Sequence, residues 1–117
     1  MPAKVQDPNC VFCKIVQGTI ESTKVAENEV LIAIKDLNPQ APTHLLVIPK
    51  EHVSDITKCS DTNLVGELFS QTAQLALKNR LDKGFRLVVN TGNEGGQTVH
   101  HLHIHVLGGR FMRWPPG

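Results

Sequence analysis

Two spacings of apolar residues alternate along the chain and divide it into elements. Near the start, Asn9 precedes the short run Cys10-Val11-Phe12-Cys13, and Gly18 follows it. Asn9 is expected to cap a short helix from residue 10 that stops at Gly18. Residues 24–26 and 30–34 flank the polar turn Glu27-Asn28-Glu29 and predict a β-hairpin. Asn38-Pro39-Gln40-Ala41-Pro42 predicts a stiff loop, because each proline fixes its own φ and extends the residue before it. Leu45-Leu46-Val47-Ile48 is a continuous apolar run between two prolines and predicts a central strand buried on both faces.

Residues 61–83 carry the one long helical stripe: Leu64, Val65, Leu68, Phe69, Thr72, Leu75 and Ala76, with Gly84 as the stop. Strands are expected at 85–90 and 97–107, joined by the loop Thr91-Gly92-Asn93-Glu94-Gly95-Gly96. A tail at 108–117 ends in Trp114, Pro115, Pro116 and Gly117. The order is short helix, hairpin, strand, long helix, strand, strand. It predicts one α+β domain over residues 1–117, with about five antiparallel strands.

Composition narrows the function. With 117 residues and a net charge of +1, the chain has no basic run to hold a nucleic-acid backbone. No stretch approaches the ~18 apolar residues that span a bilayer. Residues 1–10 include Pro2, Lys4, Asp7 and Pro8 and lack the apolar centre of a signal peptide, so a cytoplasmic location is expected. Three cysteines, an odd number, suit a reducing compartment better than a disulfide framework. Cys10 and Cys13 form a C-x-x-C pair, and Cys59 is expected to be a small buried hydrophobe.

Four of the six histidines fall at 100, 101, 103 and 105. On a strand, His101, His103 and His105 share one face about 7 Å apart. Leu102, Ile104 and Val106 then face the core, with His100 on the core side at the strand's start. Three readings compete. The row could be a merely polar face. It could be a metal site, since strand histidines two apart can share a zinc. It could also be nucleophilic and acid–base machinery. The surroundings favour the last. Gly95-Gly96 permits close backbone approach and presents N–H donors, Thr98 adds a hydroxyl and Asn90 an amide. Together they describe a phosphate pocket that does not need magnesium.

At this point the chain resembles a known family. His101-Leu102-His103-Ile104-His105-Val106-Leu107 matches the H-φ-H-φ-H-φ-φ signature of the histidine triad (HIT) superfamily. Asp36 to His44, Leu45 to Lys50, Gly95-Gly96-Gln97-Thr98, Gly108-Gly109-Arg110 and Trp114-Pro115-Pro116-Gly117 look like its Hint branch of nucleotide-binding proteins. The resemblance implies a HIT fold whose sheet continues across a homodimer. It also implies purine nucleoside phosphoramidase activity with no cofactor required for catalysis.

Residue roles come with the resemblance. His103 would attack the α-phosphorus. His105, Asn90, the Thr98 hydroxyl and backbone N–H groups near Gly96, Gln97 and Thr98 would hold phosphate oxygens. His101 would orient its neighbour through its carbonyl, with His44 behind the triad. Asp36 would accept from the ribose hydroxyls, and Val11, Phe12, Ile15, Ile34, Leu37 and Leu46 would wall the base. Lys35 stands where relatives often have His, and Thr98 where they commonly have Ser. Trp114 in the tail would approach the partner's site. Some relatives hold a structural zinc at positions matching Cys10, Cys13, His52 and His101. Three alternatives remain open: a dinucleoside polyphosphate hydrolase, a zinc hydrolase using all three histidines, and a nucleotide-binding adaptor.

Overall fold

Alternation within the apolar runs explains the architecture. A computed structural model describes residues 6–117. Residues 1–5, half of the segment expected to carry no signal peptide, lie outside the described residues. The elements are α1 (Val11–Val16), β1 (Lys24–Glu27), β2 (Leu31–Lys35), β3 (Thr43–Pro49), a 3₁₀ turn (Ile56–Lys58), α2 (Thr62–Lys78), β4 (Phe85–Val88) and β5 (Ile104–Gly108). The five strands form one antiparallel sheet in the order β1-β2-β3-β5-β4.

The central β3 is apolar from Leu45 to Pro49 because both faces of the sheet are covered there. Leu31 and Ala33 of β2, Leu45 and Val47 of β3, and Ile104 and Val106 of β5 pack with Leu68, Leu75 and Ala76 of α2. The intervening residues Ile32, Ile34, Leu46 and Ile48 pack with Phe12, Cys13 and Ile15 of α1. Within α2, Thr72 is fully buried, and its hydroxyl donates to the Leu68 carbonyl at 2.5 Å, so the polar atom costs little there. Among the described residues, no helix is long and apolar enough to cross a membrane.

Beyond one-residue shifts in the hairpin and at the end of the last strand, four boundaries differ from the sequence expectation. Cys10, not Asn9, caps α1: its Sγ accepts from the Cys13 N–H at 3.4 Å. The long helix ends at Lys78 rather than residue 83. There the Arg80 N–H donates to the Leu77 carbonyl and the Leu81 N–H to the Ala76 carbonyl, while Arg80 takes a φ of +63°. This is a Schellman stop without its usual glycine, with the buried Leu81 as the apolar closure. Strand β4 stops at Val88, two residues short of the expected end.

The last strand begins at Ile104 rather than residue 97. Its partner β3 runs out at Pro49, which has no N–H to extend the ladder. Upstream, the Leu102 N–H donates to the Val53 carbonyl instead. Two side-chain expectations change as well. His100 is exposed rather than on the core side, and Cys59 is only half-buried against the α2 face of the core.

Candidate active site

Only His105 of the triad lies within β5; His101 and His103 sit on the irregular segment just before it. Alternation persists there nonetheless. Leu102 joins Ile104 and Val106 in the α2-side core, while His101 and His103 turn toward α1. The Phe12 ring meets the His101 and His103 rings edge-on, at centroid distances of 5.8 and 5.0 Å.

Hydrogen bonds fix the ring protons one by one. The His103 Nδ1–H donates to the His101 carbonyl at 2.6 Å, which leaves the Nε2 lone pair free. On the other side, the Gln40 N–H donates to His44 Nδ1 at 3.0 Å, so the His44 proton resides on Nε2. That Nε2–H faces His105 Nδ1 at 2.9 Å and Asp36 Oδ2 at 3.3 Å. His105 therefore accepts at Nδ1 and carries its own proton on Nε2. Burial lowers the pKa of His44, against a weaker opposing pull from Asp36, so its contact with Asp36 is that of a neutral imidazole rather than an ion pair.

Burial also lowers the pKa of His103, offset in part by the bond to the His101 carbonyl and the Asp36 charge. His105 is pushed down to about 4 by burial first, then by its His103 and His44 neighbours. The site thus holds neutral imidazoles at neutral pH: one with a free lone pair, one with an N–H donor.

These rings border a cavity of about 300 Å³. Val11, Phe12, Ile15, Ile34, Leu37 and Leu46 form its apolar walls. Lys35, Asp36, Asn90 and Thr98 join His103 and His105 as the polar groups. Every expected base-wall residue is therefore assembled, together with Val99, which the sequence did not single out. A single apolar residue within a polar loop carries no periodic signal.

Three expected ligand contacts are placed differently. The Gly96 N–H is engaged with the Asn93 carbonyl and the Gln97 N–H with the Gly92 carbonyl. The Gln97 side chain accepts from the Gly92 N–H and donates to the Ser54 and Val99 carbonyls, so it staples the loop rather than facing a ligand. Of the N–H groups of Gly96, Gln97 and Thr98, that of Thr98 has no partner among the described residues, and Thr98 lines the cavity. Trp114 is 81% exposed, away from the cavity, with the Arg86 guanidinium 5.9 Å from its ring centroid.

His101 is turned away from the cavity, and its position tests both metal readings. Its Nε2–H donates to the Pro49 carbonyl at 2.9 Å, which points Nδ1 at the C-x-x-C pair. It therefore cannot share a metal with His103 and His105. Four donor atoms do converge elsewhere. His101 Nδ1 lies 3.2 Å from Cys10 Sγ, 3.6 Å from Cys13 Sγ and 3.2 Å from His52 Nδ1, and Cys13 Sγ lies 3.3 Å from His52 Nδ1. A tetrahedron with ordinary zinc bond lengths has N–N edges of about 3.3 Å and N–S edges of about 3.6 Å. The residues fit that ion, and the carbonyl behind His101 is the supporting contact such ligands need. All four sequence-expected positions, Cys10, Cys13, His52 and His101, are present in this cluster.

Comparison with known proteins agrees with this geometry. The HIT domain family model matches residues 17–112. An uncharacterized HIT-like protein of Synechococcus elongatus is 43% identical over 109 residues, covering 92% of this chain and 96% of that protein. A 14 kDa zinc-binding protein of Zea mays is 41% identical, covering 97% of this chain and 92% of that protein. The crystal structure of a HIT family hydrolase from Legionella pneumophila superposes with a TM-score of 0.90 at 47% identity, covering 93% of this chain and all of that one. A histidine triad protein from Clostridium difficile gives 0.89 at 39% identity, covering 93% and 97%. The chain belongs to the histidine triad superfamily, on its Hint-like branch.

Proposed function

We propose that the protein is a nucleotide-binding hydrolase that cleaves the P–N bond of purine nucleoside 5′-phosphoramidates through a nucleotidyl-histidine on His103. The observation that carries this reading is the 2.6 Å bond from His103 Nδ1–H to the His101 carbonyl. It presents a neutral, unprotonated Nε2 to a cavity of nucleoside size. The hydrolase named among the solved relatives supports the reaction class.

In the first step the Nε2 lone pair attacks phosphorus, the P–N bond breaks, and the amine leaves with the bonding pair and takes up a proton. In the second, water attacks phosphorus and displaces the imidazole, releasing the monophosphate and a proton. Acyl- and aminoacyl-adenylates fit the same steps, with a carboxylate leaving. His105 Nε2–H, the Asn90 amide and the Thr98 N–H and hydroxyl would meet the phosphoryl oxygens, each donor worth roughly 3–4 kcal/mol in the transition state. Asp36 would accept from the ribose, while the apolar walls and Lys35 would meet the base. A structural zinc on Cys10, Cys13, His52 and His101 would brace α1 outside the chemistry, since it leaves His103 free. Exposed Phe69 on α2 and Phe85 on the edge strand β4 support a homodimer, through which a partner's Trp114 would reach the cavity.

The test compares wild type with His103→Ala on an adenosine phosphoramidate, with chelator present. Turnover by wild type alone, with a nucleotidyl-protein adduct trapped on rapid acid quench, is the expected result. Equal turnover by both proteins refutes the assignment.

A further inference from the structure

The Gly108-Gly109-Arg110 motif has no part in the chemistry above. Its geometry gives it one. Gly109 has a φ of +90°, and a Cβ built there would meet Pro42 Cβ at 2.9 Å. Only a glycine lets the chain leave β5 this close to the 38–42 loop. The close pass delivers Arg110 to the Gln40 carbonyl, to which Nε donates at 3.3 Å and Nη2 at 3.1 Å. The third nitrogen, Nη1, donates to the Phe111 carbonyl at 3.2 Å. Two donors of one planar fork on one carbonyl restrain its direction as a single ammonium cannot.

Gln40 is also the residue whose N–H holds His44 Nδ1. It is thus gripped from outside through its carbonyl and grips the site from inside through its amide. We propose that Arg110 is a positioning residue: by clamping Gln40 it keeps His44 Nδ1 an acceptor, and through the His44–His105 bond it keeps His105 presenting Nε2–H to the cavity. Arg110 itself does not line the cavity, so it acts only through this chain of contacts.

The clamp also decides between two uses of one cluster. Ligating atoms of Asp36, His44 and His105 lie within 4.8 Å of one another, close enough to share a cation. A cation on His44 Nε2 would move the ring proton to Nδ1, against the Gln40 N–H. While Gln40 is held, the trio stays a hydrogen-bond chain.

The inference rests on the proposed function only for its kinetic readout. The direct readout is the imidazole nitrogen spectrum of the ligand-free, full-length protein, by long-range ¹H–¹⁵N correlation. In wild type, His44 and His105 should both show Nε2–H, with Nδ1 shifted as an acceptor. Arg110→Ala should move the His44 and His105 Nδ1 signals while leaving His103 in place. It should lower kcat about tenfold, with KM unchanged within twofold, since a small misplacement of a catalytic group acts on turnover. Arg110→Lys, whose single donor head cannot fix the direction of the Gln40 carbonyl, should recover kcat only in part, by about threefold over Arg110→Ala. Gly109→Ala, which presses on Pro42 from the same side, should move the same two signals. Unchanged His44 and His105 signals in Arg110→Ala overturn the inference. So does a raised KM at constant kcat, which would put Arg110 on the ligand. If wild type turns over no phosphoramidate, the proposed function fails, and the nitrogen spectra alone decide the clamp.

Discussion

Gly95→Ala should disable the site by moving backbone alone. A Cβ at this position would lie 2.2 Å from the Thr91 carbonyl oxygen and 2.9 Å from Thr91 N. Ordinary carbon contacts lie near 3.5 Å, so one side of the 91–96 loop must retreat by about 1 Å. The obstacle is main chain, and the loop is tied by the Gly96 and Gln97 N–H bonds and the Gln97 staple, so no flexible side chain can absorb the shift. Overpacking of this kind costs about 1–3 kcal/mol of stability. Thr98 sits at the end of the same loop, and in its proposed role as a phosphate donor a displacement of about 1 Å costs about 10²-fold in rate. Gly66→Ala is the matched control. It makes the same chemical change mid-helix in α2, where nothing lies within 4 Å of the new methyl, and should stabilise by about 0.5–1 kcal/mol. The assay is urea unfolding together with kcat/KM on an adenosine phosphoramidate, backed by the AMP dissociation constant. Gly95→Ala with kcat/KM within twofold of wild type and an unchanged urea midpoint would refute the reasoning.

Four further outcomes are expected. Burial lowers the His103 pKa, so its nucleophilic form persists as pH falls below the ordinary value of about 6.5, and the acid limb of kcat/KM should lie below that pH; a limb at or above it contradicts the assignment. His105 sits at about 4, so the unfolded chain takes up this proton first; the stability it supports is complete above pH 6.5 and falls as pH drops toward 4, which urea midpoints at pH 7 and pH 5 would show. Protein stripped of metal should bind one equivalent of zinc and unfold at higher temperature, by an amount equivalent to about 4 kcal/mol at a thousandfold excess over Kd. Cys10→Ser and Cys13→Ser should each lose that shift, and an unchanged melting temperature of wild type on zinc addition counts against the site. Arg80→Gly should raise the urea midpoint by the equivalent of roughly 0.5–1 kcal/mol, because it relieves a left-handed backbone at an exposed residue.

Much of the architecture follows from residue spacing. The doubly apolar run at 45–48 is the centre of a sheet covered on both faces, and the stripe from Leu64 to Ala76 is the helix covering one of them. Each of two misplaced boundaries has its own backbone cause. Helix α2 stops on Arg80, a residue whose type does not announce a left-handed turn, and β5 starts late because of a missing N–H on a different strand, at Pro49. In the candidate site, the histidines, Asp36 and the apolar walls were legible because their side-chain types and spacing mark them in the sequence. Gln97 was misjudged because an amide suited to a ligand is equally suited to tying three backbone groups together. The Gln40 N–H and the Pro49 carbonyl escaped notice because every residue type carries such groups, and only the fold selects which ones meet a histidine.

His101 serves two neighbours with different parts of itself. Its ring faces the cysteines, whereas its peptide carbonyl holds His103 Nδ1. A carbonyl is common to all amino acids, so the alignment of His103 does not require a particular side chain at position 101. Replacing the cysteine pair would therefore leave the bond that aligns His103 in place. The four-residue cluster around His101 and the proposed nucleophile are thus separable parts of one short segment: the first could change without moving the second.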